Sequence, residues 1–178
     1  MGIKQLNGGY VEAEDRILLR VSTDAREELR FWLTRRITGK LRAAIHAAAA
    51  RDIAQKYPPQ IAQTVAEFEQ QMVQARTRLD EEFLPGAILP LGEASALVVK
   101  LTTEEKADAL SLDLGLLNGK NVNLCLPRYL AQQVGVLLDQ LLKNANWQLD
   151  QPGALTPAAS DAGDTAATNA SREKKLLH

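Results

Sequence analysis

Cysteine is almost missing from this chain: Cys125 is the only one in 178 residues. No internal disulfide can form, and the composition fits a reducing cytosol. Aromatic side chains are scarce as well, at 4%, so a core has to be assembled from Leu, Val, Ile and Ala. No apolar run approaches the roughly 20 residues that a bilayer span needs, and Met1 to Asn7 lacks the apolar stretch of a signal peptide. Both observations point to a cytoplasmic protein with no membrane partner. Histidine occurs only at His46 and His178. His46 sits in an alanine-rich segment with no cysteine or carboxylate at metal-ligand spacing, so no metal site is expected. The stretch Asn7-Gly8-Gly9 has neither the strand–helix context nor the lysine–hydroxyl pair of a phosphate loop and reads as a turn. An excess of charge of one sign is missing too: the net charge is -1, which excludes a whole-protein attraction to nucleic acid but not a local patch.

These absences leave no candidate catalytic residue and no expected cofactor. Cys125 has no histidine near it in sequence and reads as a buried or half-buried structural thiol. The acidic clusters Glu12, Glu14, Asp15 and Asp80, Glu81, Glu82 read as solvated faces.

What is present is a globular composition, 46% hydrophobic and 24% charged, enough for one domain over residues 1–150. Ile17, Leu19 and Val21 alternate with Arg16, Leu18 and Arg20; Leu29, Phe31 and Leu33 alternate with Arg30, Trp32 and Thr34. Both are strand patterns. Thr34 is placed to cap a helix from about Arg35 to Gln55, with Ile37, Leu41, Ala44, Ile45, Ala48 and Ile53 on one side. Tyr57-Pro58-Pro59 ends it. A second helix is expected from Pro59 to Phe83. Its apolar positions Ile61, Val65, Phe68, Met72, Ala75 and Leu79 follow the alternating four-and-three spacing of a heptad seam. Such a seam is either one arm of a helical hairpin packed on residues 37–55 or a subunit-pairing surface.

After a break at Leu84-Pro85-Gly86, strand patterns return. Leu97, Val99 and Leu101 alternate with Val98 and Lys100, and Thr102 to Lys106 reads as a polar turn. Leu110 to Leu116 and Val122 to Leu126 flank Asn118-Gly119, a strong hairpin signal because both residues accept positive φ. Pro127 suits the first turn of a final helix carrying Leu130, Val134, Leu137, Leu138, Leu141 and Leu142. Trp147 and Leu149 are placed to close the core. From Gln151 to His178 the Ala-, Thr-, Ser- and Asp-rich composition predicts a disordered tail.

A shift of 93 positions lays Ile17, Leu19, Val21 on Leu110, Leu112, Leu114 and Leu29, Phe31, Leu33 on Val122, Leu124, Leu126. Thr34-Arg35 then falls on Pro127-Arg128, and the two helix stripes coincide. The expected fold class is therefore α+β: two similar strand–strand–helix units (15–50 and 108–143) forming an antiparallel sheet with helices on one face. A long amphipathic helix is inserted over 58–84.

From Asp15 to Arg42 there are eight basic residues against four acidic ones. Alternation gathers Arg16, Arg20, Arg30 and Trp32 on one sheet face, with Arg35 and Arg36 at the turn into the helix. That face has the chemistry to hold phosphates and stack bases, or else it is buried with its arginines paired to carboxylates. In the second unit Trp32 is matched by Cys125 and Arg30 by Asn123, so only the first unit carries it.

Two stretches, Glu14-Asp15-Arg16-Ile17-Leu18-Leu19-Arg20 and Phe31-Trp32-Leu33-Thr34-Arg35-Arg36, resemble the opening of a family of small proteobacterial proteins with no assigned function. That resemblance implies no activity. The strand–strand–helix doubling is loosely similar to PUR-type nucleic-acid-binding repeats, which place four strands before each helix. The leading expectation is a non-catalytic protein–protein contact or oligomerisation module that uses Ile61, Val65, Phe68, Met72 and Leu79 or a sheet face. The alternative is a single-stranded nucleic-acid binder using the basic aromatic face.

Overall fold

A computed structural model describes residues 2–77 and 82–148. It is an α+β fold in which the order strand, strand, strand, helix occurs before and after one further helix. The strands β1 (Ile3–Val11), β2 (Arg16–Thr23), β3 (Glu28–Leu33), β4 (Ala96–Lys106), β5 (Ala109–Leu116) and β6 (Asn121–Pro127) lie side by side in chain order. The helices are α1 (Arg35–Lys56), α2 (Pro59–Arg76) and α3 (Arg128–Asn144). Every neighbouring pair is antiparallel except β3 and β4, which are parallel over Phe31–Ala96 and Trp32–Leu97. The parallel join follows from the long α1–α2 connection, since parallel neighbours need a crossover.

The strand alternation sets the core. Ile17, Leu19 and Val21 of β2, Leu29, Phe31 and Leu33 of β3, and Leu110 to Leu116 of β5 turn one face to α1 and α3. Ile37, Leu41 and Ile45 of α1 and Leu130, Val134, Leu138 and Leu141 of α3 fill that face from the other side. Burial of such side chains stabilises by roughly 1.5–3 kcal/mol each. Thr34 caps α1 as its position suggests, its hydroxyl accepting from the Ile37 amide at 3.4 Å. Helix α3 packs against both edge strands, β1 and β6. The sheet therefore curls around it, as strand twist allows.

Several local expectations are corrected. Asn7-Gly8-Gly9 is not a turn but the middle of β1. A Cβ on Gly8 would meet Leu141 Cδ1 at 2.9 Å, so this glycine lets α3 approach the strand. Thr102 to Lys106 is likewise strand, paired with Ala109–Asp113, and the turn falls at Ala107-Asp108. These residues are polar because this end of β4 projects past β3, and most of it is exposed. An irregularity between Val98 and Lys100 also breaks the Leu97–Val99–Leu101 alternation, so Val98 is the buried residue. Pro127 closes β6 and stands at the N-cap of α3 rather than inside it. Asn118-Gly119 turns as expected, with Gly119 at φ 81°.

Helix α2 ends at Arg76, earlier than its periodicity suggests. The Thr77 amide and hydroxyl both donate to the Val73 carbonyl there. Leu79, Asp80, Glu81, Leu149 and the 151–178 segment lie outside the described residues. Among the described residues no helix is long and apolar enough to cross a membrane.

Candidate functional site

Helix α2 lies over α1 and α3 as a third layer, yet none of its residues is buried. The side turned inward carries Ala62, Ala66, Glu69 and Val73, most of which line a cavity above α1 and α3. The heptad stripe faces elsewhere. At 3.6 residues per turn its centre lies roughly a third of a turn from the inner side. Ile61 is 46% exposed and Phe68 61% exposed, while Val65 and Met72 are half-buried along the boundary. The packing of α2 on residues 37–55 thus uses its small residues, and among the described residues Ile61 and Phe68 are left exposed. Periodicity revealed the stripe but had no means of saying which way it points.

The basic aromatic face is built as alternation requires. Register sets Leu18 beside Trp32, and Arg20 beside Arg30, on the sheet side away from the helices. Leu97 of β4 continues the first row, so half-buried Trp32 sits between two leucines. The arginines are not free. Arg20 Nε donates to Glu28 Oε1 at 2.8 Å and Arg30 Nε donates to the same oxygen at 2.7 Å. Glu28 is 1% exposed. Burial alone would raise its pKa, but the hydrogen bonds and charges of Arg30 and Arg20 outweigh that and hold it at about 2. Its second oxygen, Oε2, and the hydroxyl of its cross-strand neighbour Ser22 have no hydrogen-bond partner among the described residues.

What buries Glu28 is the segment 82–95, which crosses this face as a strap. The Gln5 carboxamide holds it by donating to the Glu82 carbonyl and accepting from the Leu84 amide. The Phe83 ring lies 4.2 Å from the Arg20 guanidinium. Ile88 forms a short parallel bridge to Glu27. Gly86 is required where the strap meets β3: a Cβ there would come within 2.6 Å of the Glu28 amide nitrogen. Arg30 reaches the far end, donating to the Glu93 carbonyl at 3.4 Å.

The remaining basic candidates divide. Arg16 pairs with Glu14 at 3.5 Å near the surface. Arg35, at the start of α1, donates to the Gln148 carbonyl after α3. Its counterpart Arg128, at the start of α3, pairs with Asp52 of α1. Each helix-start arginine therefore ties its helix to the other half of the chain. Arg36 is exposed.

One expectation on a reactive residue changes, and a second residue gains a partner. Cys125 is exposed, because on edge strand β6 it points away from the helices together with Asn121 and Asn123. His46 does have a carboxylate, Asp139 of α3, at 3.3 Å. Burial pushes the Asp139 pKa up, but hydrogen bonds from His46 and Arg42 bring it below the usual range. The pair is 93 positions apart and left no trace in sequence spacing. Among the described residues no group of acidic, histidine or cysteine side chains is arranged to hold a metal ion.

The chain matches no known family model, and neither a curated protein nor a solved structure is detectably similar to it. The site therefore has to be read from its own geometry.

Proposed function

We propose that this chain is a non-catalytic protein–protein interaction module that self-associates through α2. The observation that carries the reading is the stripe headed by Phe68 and Ile61, which among the described residues stand 61% and 46% exposed. Such a stripe is costly in water, and its heptad spacing is what a second helix takes up as knobs in holes. The stripe is also complementary to itself. In an antiparallel pair Ile61 meets Met72 of the second copy and Val65 meets Phe68, so small and large side chains alternate across the seam. A parallel pair would instead set Phe68 against Phe68. Light scattering on the full chain tests this. A dimer that becomes a monomer on Phe68→Glu, with an unchanged circular dichroism spectrum, is the expected result. A monomeric parent at micromolar concentration removes the reading.

The nucleic-acid reading rests on Trp32, left half-exposed between Leu18 and Leu97. It is the weaker one, since Arg20 and Arg30 share the charge of Glu28 and offer less to a phosphate. Fluorescence anisotropy with a labelled single-stranded oligonucleotide at low and high salt decides it. Binding that is salt-sensitive and lost in Trp32→Ala would revive it.

A further inference from the structure

The inner side of α2 has its own chemistry. Between α1, α2 and α3 lies a cavity of about 330 Å³. It exists because each helix contributes small residues where it faces the others: Ala49 and Ala50 from α1, Ala66 from α2, Gly135 from α3. Ile45, Ile53, Val73 and Val136 complete an apolar wall. Its size and its position between packed helices are those of a small-molecule site.

The charges around the cavity select what such a molecule would carry. Glu69 and Asp139 are the acids of its lining, with His46 beside them. Asp139 is held by Arg42 and His46. Glu69, half-buried on the inner side of α2, has no hydrogen-bond or ion-pair partner among the described residues. Among the described residues no lysine or arginine lines the cavity, Arg42 reaching only its Asp139 edge. A half-buried carboxylate above an apolar cavity favours a cation.

We infer that the cavity between α1, α2 and α3 binds a small amphiphilic cation, its apolar body among Ala49, Ala66 and Val73 and its ammonium group at Glu69. The site is separate from the α2 stripe and does not depend on self-association, because Glu69 and Ala66 lie on the inner side of the helix, roughly a third of a turn from the centre of the stripe.

Isothermal titration of the full chain with phenylbutylammonium and with phenylbutyrate, matched in apolar body and opposite in charge, tests it. Phenylbutylammonium is expected to saturate one site per chain. Phenylbutyrate should bind at least roughly tenfold more weakly, the scale of one partly desolvated charge contact. Ala66→Trp, which fills the cavity from a half-buried helix position, should abolish binding, and Glu69→Gln should weaken the cation while sparing phenylbutyrate. Phe68→Gln should leave the titration unchanged. Equal binding of the two probes, no saturable binding of the cation, or full binding by a folded Ala66→Trp variant would each overturn the assignment.

Discussion

The two hairpins β2–β3 and β5–β6 present the same apolar face to the helices and opposite characters on the other side. Across β2 and β3 the outer face holds Trp32 and, under the 82–95 strap, Arg20, Glu28 and Arg30. Across β5 and β6 it holds Ser111, Asp113, Asn123 and Cys125, where Asn123 donates to the Ser111 hydroxyl at 3.2 Å. The inner faces are set by the shared need to bury leucine-sized side chains, so they agree. The outer faces answer to whatever covers them. A strap that brings Phe83 and backbone groups over a sheet face needs charged partners that remain satisfied once buried, and Glu28 between two arginines meets that need.

The comparison breaks most visibly in the shared interior. Phe31→Ala should cost about 4 kcal/mol and Leu124→Ala about 3 kcal/mol by urea denaturation, since Phe31 is fully buried and Leu124 2% exposed. Similar losses would show that the inner faces are equivalent. A loss below about 1 kcal/mol for either would mean that its half is loosely packed.

The outer faces should respond unequally. Glu28→Ala leaves Arg20 and Arg30 unpaired beneath the strap and should cost about 2 kcal/mol, moderated because both arginines keep roughly a third of their exposure. Asp113→Ala should stay within about 0.5 kcal/mol. The Glu28 pair should also show in the pH dependence of stability. The Glu28 carboxyl lies at about 2 in the folded chain, below its ordinary value of 4.5. Its stabilisation is therefore fully present above that ordinary value and fades as pH falls toward 2. Acid titration of unfolding should lose part of its slope in Glu28→Gln.

A smaller effect separates the strap from the β5–β6 turn. Gly86→Ala puts a methyl group against the Glu27–Glu28 backbone and should cost about 2 kcal/mol. Gly119→Ala, with open space around it but φ of 81°, should cost about 1 kcal/mol. Faster hydrogen exchange of the Glu28 amide, which donates to the Ile88 carbonyl at 2.8 Å, in the first variant and not in the second would show that the strap itself has lifted.

Much of the scaffold was legible in the residues alone. The alternation Leu29–Phe31–Leu33, the Thr34 cap, the Asn118-Gly119 turn and the stripe of α3 are local statements, each needing only its own neighbours along the chain. Errors arose where a second element intervened. Gly8 looks like a turn until Leu141 packs on it, and Thr102 to Lys106 look like a loop until Leu112 and its neighbours pair with them.

The candidate sites show the same division. The heptad spacing of Ile61, Val65, Phe68 and Met72, and the shared face of Arg30 and Trp32, belong to the sequence by itself, because the periods of helix and strand are properties of the backbone. Only tertiary structure decided that the α2 stripe points outward and that Glu28 sits between Arg20 and Arg30. It alone placed Asp139 beside His46 and left a cavity beneath Ala66. A period says which residues share a side, and only the packing of distant segments says what that side meets.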